Sequence, residues 1–212
     1  MEIEVVPAIL VKNREDLLHR INLVINLVKE IQLDIMDGKF VPNKTIGLES
    51  LSNLPDTIYE FHWMVFEPER YIAQIKGPNI HLVHVETITS IKTIQSSVKK
   101  AGGKLGFAIN PETPLEKLLP LIEQTKPVRI LIMTVHPGFS GQKYIMDMKT
   151  KIQKLRSLYP KLDIEVDGGI NEETGRHAYE AGANILAAAS SIFSSSDIKK
   201  SIDNLKKIGG SK

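Results

Sequence analysis

The 212-residue chain is 42% hydrophobic and 25% charged, an ordinary globular composition that excludes collagen, coiled coil and disorder as its main state. Twenty-seven Lys and Arg against 25 Asp and Glu leave a formal charge of +2, too small to point to nucleic acid or an acidic membrane surface as partner. With no cysteine present, disulfides and thiolate zinc are out, so any metal must sit on His, carboxylate or amide oxygen. The start, MEIEVVPAIL, carries two glutamates and no cationic stretch, unlike a signal peptide. No apolar run reaches the ~18 residues of a membrane span. A cytoplasmic protein is the expectation.

Apolar β-type runs alternate with amphipathic segments along the chain. Ile3–Leu10 reads as a strand, and Arg14–Lys29 as a helix with Leu17, Leu18, Ile21, Val24, Ile25 and Val28 at helical spacing. Ile31–Met36 is the next strand, followed by a turn-rich stretch over Asp37–Ser50 in which a second helix is poorly defined. Strand Thr57–Val65 precedes a short helix, Pro68–Lys76, that opens with Pro and Glu. Strand Ile80–Val85 leads to helix Ser90–Ala101, stopped by Gly102-Gly103. Strand Lys104–Ile109, helix Pro114–Gln124, strand Arg129–Val135 and helix Tyr144–Leu158 follow. Strand Leu162–Val166, helix Asn171–Ala181, strand Asn184–Ala189 and helix Asp197–Ile208 complete the pattern, and Gly209–Lys212 is expected to fray.

Eight such units in 212 residues average about 26 each. The strands are short apolar runs, as in a parallel sheet covered by helices. An α/β fold of the TIM (β/α)8 barrel type, a single domain over 1–212, is the reading. A doubly wound open sheet also alternates strands and helices, although no GxGxxG turn follows the first strand.

Catalytic groups of a barrel sit at the C-terminal ends of its strands. There the sequence places Asp34 within strand two and Asp37 just after it, His62 on strand three, His84 and Glu86 at the end of strand four, His136 after strand six and Asp167 at the end of strand seven. Strand alternation puts Gln32, Asp34 and Met36 on one face. A carboxylate inside a strand is costly unless paired, and two of them at one mouth can divide acid and base roles. The bland alternatives are a locally satisfied acid at Asp34, a turn aspartate at Asp167 and a structural histidine at His62. Together with Gln32 these residues compose a candidate site for Zn²⁺, Fe²⁺, Mn²⁺ or Co²⁺. The turns Pro137-Gly138-Phe139-Ser140-Gly141, Gly168-Gly169 and Ala189-Ser190-Ser191 offer backbone N–H groups to an anion, which points to a phosphorylated substrate. Met36, Met64 and Met133 are core filler or an apolar lining of the mouth. His84 and Glu86 either support the site or cap the helix that follows.

VPAIL at 6–10, LDIMDGKFVPN at 33–43, HWMVFEPERYI at 62–72, NPETPLEKL at 110–118, LIMTVHPGFSGQKYI at 131–145, VDGGIN at 166–171 and SSIF at 190–193 resemble segments of ribulose-phosphate 3-epimerases over nearly the whole chain. That family consists of TIM barrels that invert C3 of D-ribulose 5-phosphate to give D-xylulose 5-phosphate. The resemblance implies that Asp34 and Asp167 are the acid/base pair and, with His62, ligands of a divalent metal. It implies substrate contacts at His62, Gly138, Phe139, Ser140, Gly141, Gly168, Gly169, Ala189 and Ser190, with the turn after strand six closing over a phosphorylated ketose. The family is often oligomeric, so a homo-oligomer is an expectation.

The chain departs from that pattern where it touches metal or substrate. Gln32 stands in place of the usual metal-binding His, which implies weaker metal binding. Ala8 replaces a Ser, Ala189 replaces a Gly before Ser190, and Trp63 replaces a Leu. An epimerase of a related ketose phosphate and a weakly active or inactive phosphosugar-binding relative are the alternatives. Sugar-phosphate synthases and decarboxylases of similar barrels carry Asp-x-Lys-x-x-Asp, and Met36 falls here where that Lys would be.

Overall fold

In the computed structural model, which describes residues 2–139 and 141–210, eight parallel strands pair in chain order and β8 closes back on β1. They are β1 (Glu4–Ile9), β2 (Glu30–Met36), β3 (Ile58–Met64), β4 (Ile80–His84), β5 (Lys104–Ile109), β6 (Arg129–Met133), β7 (Asp163–Asp167) and β8 (Ile185–Ala188). The open-sheet alternative is thereby excluded. Strands this short and this apolar must be covered on their outer side, and helices do so. These are α1 (Arg14–Val24), α2 (Pro68–Ile72), α3 (Ile91–Ala101), α4 (Leu119–Thr125), α5 (Met148–Leu158), α6 (Glu172–Ala181), α7 (Ser190–Phe193) and α8 (Ile198–Lys207).

Local signals explain where the helices begin. The side chains of Asn13, Ser90 and Asn171 each accept a backbone N–H from the first turn of α1, α3 and α6. Gly102 and Gly182 end α3 and α6 in the left-handed conformation. Several helices are shorter than their apolar periodicity suggests. The first stops at Val24 because the chain must turn into β2 at Glu30. Pro114–Gln124 divides into a 3-10 turn, Leu115–Lys117, and α4, and α5 starts only at Met148. Between β2 and β3 a single 3-10 turn, Leu48–Leu51, stands where a barrel helix would lie. The short α7 was not anticipated, and Ile208–Gly210 closes as a 3-10 turn. The remainder of the expected frayed tail, Ser211 and Lys212, lies outside the described residues.

The main core is the shell between strands and helices, built from residues such as Leu33, Ile35, Phe61, Trp63, Phe107, Ile152 and Leu186. Trp63 belongs to this shell. It is fully buried, and its Nε1 donates to His81 Nδ1 at 3.1 Å. The alternate residues point inward, and the floor of the barrel is charged. Arg129 on β6 reaches Glu30 of β2 (2.8 Å), Glu60 of β3 (2.7 Å) and Glu165 of β7 (3.5 Å). Above this floor the inward side chains of the same strands build the site. Among the described residues no helix is long and apolar enough to cross a membrane.

Candidate active site

The pairing of β2 with β3 is in register over all seven residues of each, so Asp34 lies directly beside His62 and Gln32 beside Glu60. Asp167 ends β7, across the barrel mouth. All three site groups come from rigid strands rather than from mobile loops. His62 is fully buried and Asp34 is 7% exposed, while the Asp167 side chain keeps 15% of its surface open to the mouth.

The groups meet closely. His62 Nδ1 lies 3.0 Å from Asp34 Oδ1 and 3.6 Å from Asp167 Oδ2. Gln32 Nε2 donates to Asp34 Oδ1 at 2.8 Å and to Asp167 Oδ2 at 2.7 Å, so its amide group bridges the two carboxylates. Burial, and then the neighbouring charge of Asp34, push the Asp167 carboxyl up to about 7, against the pull of His62 and Gln32. Burial disfavours a charged His62, but the bond to Asp34 and the charges of both aspartates outweigh it and raise its pKa. A carboxyl raised this far above the ordinary carboxylate range suits a group that exchanges protons near neutrality.

One oxygen or nitrogen from each of Asp34, His62 and Asp167 falls within 4.8 Å of the others, a spacing that could hold a metal ion. Their donor set, two carboxylates and an imidazole, suits a divalent transition metal. Gln32 fits differently. Its Nε2 faces the carboxylates, while its Oε1 is buried without a hydrogen-bond partner. A half-turn of the amide would bring that oxygen to a cation without breaking any bond Oε1 now makes.

Around this centre the mouth is lined by Met36, Met64 and Met133, with Gly138, Gly168 and Ala189 at its rim. The three methionines are nearly fully buried in apolar clusters with Val41, Leu131 and Val135 and also line the mouth, so both of their readings hold. Gly168 and Gly169 have φ of +118° and +66°. A Cβ on Gly169 would sit 2.7 Å from the backbone nitrogen of Tyr144, so the turn after β7 packs backbone to backbone against the turn after β6. Gly138 and Gly141 also take positive φ, and Phe139 is 55% exposed at the rim. Ser140 lies outside the described residues. Ala189 and Ser190 open α7, whose first N–H groups have no helical partner. Ala8 is buried in β1 beside Gln32.

The profile of the ribulose-phosphate 3 epimerase family matches residues 4–193. The chain belongs to the ribulose-phosphate 3-epimerase family. A relative from rice (Oryza sativa subsp. japonica), named ribulose-phosphate 3-epimerase, cytoplasmic isoform, is 40% identical over 84% of this chain and 81% of its own. The ribulose-phosphate 3-epimerase of Bacillus subtilis (strain 168) is 38% identical over 83% and 85% of the two chains. More distant structures share the barrel alone. The 3-hexulose-6-phosphate synthase of Salmonella typhimurium superposes with a TM-score of 0.68 at 16% identity, covering 97% of this chain and 98% of that one. The orotidine 5'-monophosphate decarboxylase of Sulfolobus solfataricus gives 0.65 at 13% identity, covering 98% and 97%.

In this family member Asp37 and His136 lie off the site. Asp37 is a loop staple: burial works against its charge, but backbone N–H groups of Phe40, Lys39 and Phe66 hold its carboxyl below the usual range. His136 turns outward and pairs with Glu112 at 2.7 Å. His84 and Glu86 do not cap the following helix, since Ser90 does. Two residues that sequence reasoning passed over hold the mouth together. Thr134 Oγ1 donates to the carbonyls of Asp167 (2.9 Å) and Gly168 (2.6 Å). Asn43 Nδ2 donates to the Gly138 carbonyl at 2.7 Å, tying the loop after β2 to the loop after β6. Both lie inside family-matching motifs, the one signal that marks them.

Proposed function

We propose that the chain, as one barrel domain, interconverts D-ribulose 5-phosphate and D-xylulose 5-phosphate by moving a proton at C3. The observation that carries the reading is the pair of strand-borne carboxylates, Asp34 and Asp167, facing one another across a buried His62. Asp34 takes the C3 proton, which is acidic beside the C2 carbonyl. The C–H electron pair becomes the C2–C3 double bond of an enediolate, and the charge moves to the ketone oxygen. Asp167, whose carboxyl is raised by burial and the neighbouring charge of Asp34, returns a proton to the opposite face of C3. In the reverse direction the two exchange roles. Asp34, His62 and Asp167 would hold a divalent cation, Zn²⁺, Fe²⁺, Mn²⁺ or Co²⁺, with Gln32 as a weak fourth donor. Such a cation, when bound, would supply Lewis-acid stabilisation of negative charge on the substrate.

The backbone N–H groups of Gly138, Gly141, Gly168, Gly169, Ala189 and Ser190 would receive the phosphate, with Phe139 closing over the sugar. Enclosure by the turn after β6 keeps water from the enediolate and discourages loss of phosphate. The cytoplasm is the proposed location, in keeping with the name of the rice relative.

Ribulose 5-phosphate incubated with the protein and a panel of divalent metals in D₂O tests this directly. Deuterium is expected at C3, and Asp34→Asn should slow its entry about 10³-fold, within the usual 10²–10⁴ for a positioned base. Binding of the sugar phosphate with no exchange under any metal would leave a phosphosugar-binding relative instead.

A further inference from the structure

His62 has a second nitrogen, and it is not idle. Its Nε2 lies 2.9 Å from His84 Nε2, and His84 Nδ1 lies 3.2 Å from Glu86 Oε2. The other Glu86 oxygen accepts the backbone N–H of Asn110 at 2.9 Å. Ring centroids 5.0 Å apart with planes 21° from parallel describe two nearly coplanar imidazoles joined edge to edge. Both histidines are 0% exposed, so no solvent offers either ring another partner.

The direction of every bond in this chain follows from its far end. The Glu86 carboxylate only accepts, and burial is outweighed by its bonds to His84, Thr113 and Asn110, which hold it ionised down to about 2. His84 Nδ1 must therefore carry a hydrogen. A neutral imidazole has one N–H, so His84 Nε2 is bare and accepts. The hydrogen between the two rings then belongs to His62 Nε2.

We infer that Glu86 and His84 are positioning residues that keep the Nε2 of His62 protonated and so reserve its Nδ1 lone pair for a metal beside Asp34 and Asp167. A ring in the other tautomer would point an N–H at the cation and could not ligate it. The relay also locks the ring's rotation, as outer partners of metal-binding histidines do. This inference rests on the reading of Asp34, His62 and Asp167 as a metal site.

Glu86→Gln is the test, because the isosteric amide has one accepting oxygen where two are needed. If that oxygen stays on the Asn110 N–H, the NH₂ group faces His84 Nδ1. The His84 hydrogen then moves to Nε2 and the His62 hydrogen is driven to Nδ1. In chelator-treated protein labelled with ¹⁵N-histidine, two-bond ¹H–¹⁵N correlations should show wild-type His62 protonated at Nε2. The variant, folded as judged by its native circular dichroism, should lose the Nε2 hydrogen of His62 and bind Co²⁺ about tenfold or more weakly, the usual scale for such partners. Wild-type His62 lacking the Nε2 hydrogen, or a variant with unchanged Co²⁺ affinity, would overturn the relay. Wild-type protein that takes up no Co²⁺ would instead overturn the metal reading on which it rests.

Discussion

Gln32 sets how this site meets a cation. A histidine at this place presents a lone pair, whereas Gln32 presents its Nε2 to both carboxylates and leaves Oε1 unpaired. A cation therefore competes with two hydrogen bonds made by the amide before it gains a weak neutral oxygen. Gln32→His should raise Zn²⁺ or Co²⁺ affinity by roughly tenfold or more, a change comparable to those that alter a metal's immediate surroundings. Competition with a chromophoric chelator measures it, and equal affinities in the two proteins would discard this role for Gln32. At this scale much was legible beforehand. Strand alternation alone put Gln32 and Asp34 on one face, because a side-chain period of two survives any uncertainty in strand ends. His84 and Glu86 stayed ambiguous because a pair two apart after a strand serves a site or a helix equally well. Only the 2.9 Å contact with His62 decides between them.

The turn after β7 carries Asp167, and its neighbours determine where that carboxylate stands. Thr134 holds it from β6: its backbone N–H bonds to the Asp167 carbonyl at 2.8 Å and its hydroxyl reaches the carbonyls of Asp167 and Gly168. Thr134→Val keeps the shape and removes the hydroxyl. Denaturant unfolding should show a loss of about 1 kcal/mol, together with a slower C3 exchange as Asp167 loses its anchor. An unchanged unfolding midpoint with unchanged exchange would show the hydroxyl to be dispensable. Such contacts were not readable from the chain, since 33 and 34 residues separate the partners. The same limit explains the helix ends. Periodicity marks which residues face the barrel, but Ile25–Val28 keep the helical spacing while the chain already turns toward β2. Caps were better guides, and Asn13, Ser90 and Asn171 begin their helices as their side chains dictate.

For the molecule as a whole, protons and folding are linked through the barrel interior. His81 and His84 are pushed down to about 4 by burial, so their contribution to stability grows as pH rises and is complete above the ordinary histidine range. Glu86, held at about 2, completes its contribution at still lower pH. The opposite group comprises Glu165, Asp167 and His62, all raised: Glu165 and Asp167 chiefly by burial, His62 by its aspartate neighbours against burial. Each binds its proton more tightly folded than unfolded, and the stability this brings is lost as pH climbs through the raised values. Asp167, raised to about 7, gives up its share of that stability as pH climbs through neutrality. Chelator-treated protein should therefore unfold at lower urea at pH 9 than at pH 7, and a midpoint that rises over that interval would contradict this account. The eightfold alternation was legible because each unit repeats the same apolar signal. The charged floor was not, because Arg129, Glu30, Glu60 and Glu165 sit in strands whose outward residues dominate the pattern.

The connection from β2 to β3, which holds a 3-10 turn in place of a barrel helix, separates chain length from site geometry. The spacing of Asp34 and His62 is set by seven paired residues on each strand, and nothing in the 3-10 turn at Leu48–Leu51 takes part in that pairing. The Asp37–Ile46 half of the connection is tied down: Thr45 holds the backbone of Asp34 and Met36, and Ile46 bonds to Val11. The half from Gly47 to Thr57 packs Leu48, Leu51 and Leu54 on the core, so the exposed Ser52-Asn53 tip between them is where residues can be gained or lost while the acid and its histidine stay opposite one another. It is the natural place to splice a tag or a reporter into this barrel.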